Sequence, residues 1–164
     1  MQIALGGDHA GFSLKQQVAG WLADWGHLVQ DVGPLAFDPS DDYPDFAKSV
    51  ATAVASGTAD RGIIVCGSGV GATIAANKVV GVRAATCHDT YSAGQGVEHD
   101  DMNVLCMGDR VIGVELAKQV VSAFLQAQFS HEDRHVRRLQ KVLDIEATGG
   151  LTIRGEKTNE KEVT

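Results

Sequence analysis

At 164 residues the chain is long enough to bury one proper core and short enough to be one domain. Hydrophobic content of 44%, charged content of 21% and a formal net charge of −7 fit a soluble globular protein and argue against a nucleic-acid or anionic-membrane surface. No apolar run approaches the roughly 20 residues of a membrane span. Cys66, Cys87 and Cys106 lack the CxxC spacing of a zinc site or disulfide frame, so the expected setting is the cytoplasm.

In chain order, short apolar runs alternate with longer amphipathic stretches. A strand over 2–6 runs into Gly6-Gly-Asp-His-Ala-Gly11 instead of reading as a signal peptide, and a helix follows over 11–25. A strand over 28–32, a helix over 43–56, a strand over 61–65 and a helix over 70–78 come next. They are followed by a strand over 82–86, a helix over 90–98, a strand over 104–107 and helices over 113–128 and 134–146. Strands alternating with helices predict an α/β fold: a doubly wound, five-stranded parallel sheet in a Rossmann-like three-layer α/β/α sandwich. Ligands in such sheets bind beyond the carboxyl ends of strands, which singles out the loops at 7–11, 33–42, 66–71, 87–91 and 108–112. The domain is expected to span 1–146, with a polar, flexible tail over 147–164.

The loop after the third strand, Cys66-Gly67-Ser68-Gly69-Val70-Gly71, holds the densest chemistry. Helix onset leaves backbone N–H groups free to cradle an anion, and a cysteine there is favoured as thiolate. The spacing also matches a loose dinucleotide fingerprint, with Asp89 further on, but that fingerprint belongs to a first βα turn. A P-loop would need Gly-Lys-Ser/Thr, and a cysteine-phosphatase loop would need arginine where Ala72 stands. A tight turn around a buried, inert Cys66 is the bland alternative.

Three other clusters accompany it. Asp8 and His9 end the first strand at the same sheet edge as Cys66, although Asp8 could merely cap the first helix. His99, Asp100 and Asp101 follow the fourth helix, where the carboxylates would favour a protonated imidazole. His88, Asp89, His99 and Asp100 have no recognised metal-ligand spacing, and no metal is expected. Arg134 and Arg138, at i and i+4, leave one face of the last helix and suit phosphate oxygens, unless they are a solvated face paired with Glu132 and Asp133. Arg110 could add a third positive charge.

Taken together, GGDHAGF at 6–12, DYPDFA at 42–47, the Cys66 loop with IAANK at 74–78 and YSA at 91–93 make a pattern. It continues with EHDDMNVLCMGDRVIG at 98–113 and DRHVRRL at 133–139. Over residues 2 to 146 this resembles the ribose-5-phosphate isomerase B family, relatives of the galactose-6-phosphate isomerase subunits. The resemblance implies aldose–ketose isomerisation of ribose 5-phosphate and ribulose 5-phosphate through a cis-enediolate, with no metal or organic cofactor. It implies Cys66 as the base, Ser68 as its hydrogen-bonding assistant, and Gly67, Gly69, Val70 and Gly71 as an anion hole. It also implies His99 for ring opening, with Asp8 and His9 contacting the sugar or its phosphate, Tyr43 lining the pocket, and Arg110, Arg134 and Arg138 on the phosphate. Homodimers with active sites shared between subunits follow from the same resemblance, with pairing to tetramers left open.

The residue after His99 is commonly asparagine in this family, and here it is Asp100. The change bears on which hydroxyl is gripped, so other aldose phosphates (tetrose, allose or galactose type) stand as alternatives. A phosphate-binding module without catalysis is the rival from another class.

Overall fold

Glycine and polar turns break the chain where the apolar runs end, and in the computed structural model, which describes residues 1–149, those runs form strands. They are β1 (Gln2–Gly7), β2 (Leu28–Asp31), β3 (Arg61–Cys66), β4 (Ala84–Thr86) and β5 (Val104–Gly108). Between and after them lie α1 (Phe12–Asp24), α2 (Tyr43–Ala55), α3 (Val70–Ala76), α4 (Thr90–Asp100), α5 (Val114–Gln126) and α6 (Asp133–Ala147). Every strand pair is parallel, in the order β2-β1-β3-β5-β4, as the alternation predicts.

The two faces of the sheet build two cores. Leu14, Val18 and Leu22 of α1 join Val97 of α4 and Val120 and Phe124 of α5 on one side. Ala47, Val50 and Val54 of α2 join Ala72 and Ala76 of α3 on the other. Central β3 places Ile63 and Ile64 on opposite faces, both fully buried, each worth about 1.5–3 kcal/mol of transfer free energy. Helix α6 lies outside these layers and buries only His135.

Chain direction reverses between β1, which leads outward to β2, and β3, which leads to the other half of the sheet. The crevice at the carboxyl ends of these two strands is the topological switch point. Here the first loop packs hard against β3: a Cβ on Gly11 would sit 2.2 Å from the Val65 carbonyl oxygen, so only glycine fits.

Three of the boundaries that differ from expectation have a visible local cause. β4 is three residues long because Val82 closes a turn onto Val79 and the Arg83 backbone is taken by Asn103. The Asn77 amide then pairs with both backbone groups of Ala84, blocking further growth at this edge strand. α4 runs two residues further than expected, so His99 and Asp100 are helical; it ends where Asp101 turns left-handed (φ 51°), held by Arg83. Ala147 closes α6, one residue past the expected helix end, with Thr148 bonded back to Asp144. The rest of the expected tail lies outside the described residues.

Candidate active site

β3 delivers Cys66 to the crevice, 4% exposed, and the following loop is built around its sulfur. The Gly69 N–H donates to Cys66 Sγ at 3.1 Å. That requires Gly69 at φ 84°, in a left-handed conformation favouring glycine, and a Cβ there would meet Thr86 Cγ2 at 2.9 Å. The Thr86 hydroxyl donates to the Gly69 carbonyl at 3.2 Å and shares a 2.7 Å contact with Thr73, which pins the loop to β4. Exposed Ser68 accepts from the Val70 N–H at 3.3 Å. α3 has only seven residues. Its capacity for an anion therefore rests on the directed N–H groups of the loop and first turn, more than on a long helix dipole. Burial raises the other two thiols, Cys87 to about 11 and Cys106 to about 12, leaving both protonated.

The neighbouring loops converge on this turn. Asp109 and Arg110 donate backbone N–H groups to the Cys66 and Gly67 carbonyls, and the Arg110 side chain runs alongside Gly67. The Tyr43 ring, from the first residue of α2, covers Gly71 so closely that a Cβ would meet its Cζ at 2.7 Å. His88 Nε2 accepts from the Gly108 N–H at 2.9 Å.

After β1, buried Asp8 accepts from the Gly11 N–H at 3.0 Å, so it caps a single 3-10 turn over His9–Gly11 and not α1, whose N-cap is Gly11. His9 Nδ1 lies 2.7 Å from Asp41 Oδ1, which also accepts the His9 backbone N–H at 2.9 Å. The Asp41 hydrogen bond raises the His9 pKa, burial opposes it, and the charges of Asp8 and Asp41 add to the rise. Asp41 Oδ2 is buried with no hydrogen-bond partner. Its loop is fastened by Lys15, fully buried, whose ammonium donates to both Asp31 oxygens at 2.7 Å and to the Pro34 carbonyl at 2.8 Å. Sequence reasoning missed Asp41 and Lys15. The available signal was an acidic pair, Asp41-Asp42, in a loop already expected to face ligand.

The remaining expected residues lie elsewhere in the chain. α4 starts past the carboxyl end of β4, whose Thr86 bonds the Gly69 loop, and at 1.5 Å per residue His99 is about 14 Å along its axis from Thr90. Its ring stacks on His135 of α6 with centroids 4.0 Å apart. Arg134 is exposed and paired with Glu132 at 2.7 Å, as the solvated reading expects. Arg138 is exposed and enters no ion pair among the described residues. His88 and Asp89 thus stand at the opposite end of α4 from His99 and Asp100, and the four do not form a ligand set. Asp89 instead caps α4 through the Ser92 N–H at 2.7 Å, which removes the dinucleotide reading's acidic partner. Beside β4, an apolar groove of about 650 Å³ is lined by Ala85, Met102, Leu139, Val142 and Ile145.

The family model described as Ribose/Galactose Isomerase matches residues 3–142. The ribose-5-phosphate isomerase B of Escherichia coli is 46% identical over 145 residues, 88% of this chain and 96% of that one. D-erythrulose-4-phosphate isomerase 2 of Mycolicibacterium smegmatis is 40% identical over 148 residues, covering 89% of this chain and 97% of its own length. The structure of Clostridium thermocellum ribose-5-phosphate isomerase B superposes with a TM-score of 0.88 at 46% identity, covering 91% of this chain and 99% of that chain.

Proposed function

Because this chain belongs to the ribose/galactose isomerase family, and is thereby a sugar-phosphate isomerase, we propose that it interconverts ribose 5-phosphate and ribulose 5-phosphate through a cis-enediolate. The observation that supports this reading is the Cys66 sulfur held by the Gly69 N–H, in a loop that Arg110 flanks at Gly67 and Tyr43 covers at Gly71. Cys66 as thiolate takes the C2 proton of the open aldose and returns it to C1. Charge then moves onto the carbonyl oxygen, where each preorganised N–H donor is worth about 3–4 kcal/mol. Ser68 holds the reacting hydroxyl, and His9, Arg110, Arg134 and Arg138 neutralise the phosphate.

His99, Asp100 and the α6 arginines serve the crevice of a second copy, and Cys66 of each copy works with His99 of the other. What supports this is the separation of the two groups along α4, together with the apolar groove beside α6 and exposed Val136, Val142 and Ile145. An isologous dimer would cover that surface and complete two sites at once.

A tetrose 4-phosphate is the second reading, favoured by Asp100 and by the relative named for erythrulose 4-phosphate. A coupled assay over four-, five- and six-carbon aldose phosphates separates the two, with wild type and Asp100→Asn side by side. Ribose 5-phosphate is expected to give the highest kcat/KM. A higher value for the tetrose would overturn the sugar assignment while keeping the chemistry.

A further inference from the structure

The reading of His99 as the ring-opening group leaves open what fixes its protons, and the corner where α4 meets α6 supplies an answer. Gln95, one turn before His99 on α4, points its amide nitrogen at His99 Nδ1 at 2.8 Å. An amide N–H can only donate, so Nδ1 accepts and the ring proton sits on Nε2. That Nε2 makes no hydrogen bond among the described residues, and His99 borders a recess of about 460 Å³ with Gln95, Glu98 and Tyr91. One face of the ring is occupied by His135, stacked at 4.0 Å and 29°.

His135 is itself constrained. It is 1% exposed, its Nδ1 lies 2.6 Å from Ser130 Oγ, and its Nε2 is buried without a partner. Ser130 is tied to α4 through its N–H, which donates to the Glu98 carbonyl at 3.0 Å. Burial first, then His99 and Arg134, lower the His135 pKa; Glu132 opposes and Arg138 adds to the fall. The platform beneath His99 is therefore a buried ring whose protonated form is disfavoured.

We propose that Gln95, Ser130 and His135 are positioning residues that hold His99 in the Nε2–H tautomer, with that nitrogen turned outward, for opening the furanose ring. In that step the C1–O4 bond breaks and its electron pair goes to O4, toward which the Nε2–H donates a hydrogen bond. The proton of the O1 hydroxyl, released as C1 becomes a carbonyl, passes through water to O4. His99 keeps its proton and ends in the tautomer it began in.

The inference rests on the isomerase reading, so its test separates the two. Ribulose 5-phosphate has no free hydroxyl placed to close a furanose, and it enters the site open. Deuterium wash-in at its C1 reports enolisation alone, whereas conversion of ribose 5-phosphate also needs ring opening. In 15N-histidine-labelled protein, with His99→Asn for assignment, long-range 1H–15N spectra should show His99 protonated at Nε2. Gln95→Glu, whose carboxylate accepts instead of donating, should move that proton to Nδ1. The same variant should slow ribose 5-phosphate conversion about tenfold or more, while wash-in stays within about twofold of wild type. His135→Phe should keep most ring-opening activity by preserving a flat stacked face, and His135→Ala should lose it. A wild-type His99 protonated at Nδ1, or equal slowing of wash-in and conversion in Gln95→Glu, would overturn the positioning role. Absence of wash-in by the wild type would overturn the isomerase reading instead, with the tautomer spectra still deciding the positioning.

Discussion

The crevice around Cys66 and the corner around His99 are built by opposite means. The crevice is rigid backbone: strand ends, a left-handed glycine, and N–H groups fixed by neighbouring loops. The corner is side chains on two helices, exposed or half-buried except for His135, and completed by nothing within the described residues. One region can hold developing charge with little reorganisation, and in the proposed reaction the other supplies mobile charge and hydrogen-bond donors. An enolisation needs the first, whereas capture and opening of a sugar phosphate need the second.

The sharpest way to break this contrast is at the sulfur. Cys66→Ala should fold, bind ribose 5-phosphate and lose about 10³-fold or more in kcat, within the range of a positioned general base. Retained turnover would return Cys66 to the inert reading. If the corner belongs to a neighbouring copy, Cys66→Ala and His99→Asn should each be inactive alone. Subunits mixed and re-associated should then recover about a quarter of wild-type activity, since half the dimers are hybrids with one intact site of two. No recovery would place both residues in one subunit's chemistry.

Next in size is the staple under the first region. Lys15→Ala leaves Asp31 and the Pro34 carbonyl without their buried donor. The loss should be on the order of 3 kcal/mol in urea unfolding. A cost below about 1 kcal/mol would mean that water replaces the ammonium. At the other region, Arg138→Ala should raise KM about tenfold through one lost charge-assisted phosphate contact. Iodoacetamide labelling of Cys66 should be unchanged in that variant. A parallel fall in labelling would show that the arginine tunes the thiol.

The first region was largely legible from sequence and the second only partly, for a physical reason. Apolar period and glycine punctuation reveal strand ends, and Asp8, His9, Cys66 and Arg110 lie at strand ends. The sequence places His99 in a loop because the residues that follow Val97 in α4, Glu-His-Asp, are all polar and carry no apolar mark of a continuing helix. His135 sits within a run of charges, yet it is the one residue of α6 that is buried, because the helix packs through its N-terminal turn. Lys15 occupies an apolar position of α1 only because Asp31 and Pro34 meet it from elsewhere in the chain. Asp41 likewise gains its meaning from a histidine 32 residues away. Pairings of this kind depend on tertiary closure, and local pattern holds no trace of them.

The smallest effect expected bears on His9, where the crevice borrows the corner's method by placing a titrating side chain in a built site. Asp41 raises the His9 pKa above its ordinary 6.5 through the 2.7 Å hydrogen bond. With the folded value raised, the interaction's contribution to stability is complete below about pH 6.5 and fades as pH climbs through the folded value. Asp41→Asn removes the carboxylate charge, so the His9 midpoint followed by NMR should fall, and the alkaline rise in KM should begin at lower pH. kcat at pH 6 should change little, because in the proposed site His9 meets the phosphate and not the reacting carbons. If the midpoint falls but the KM profile does not move, His9 does not meet the phosphate, and the anion is left to the three arginines.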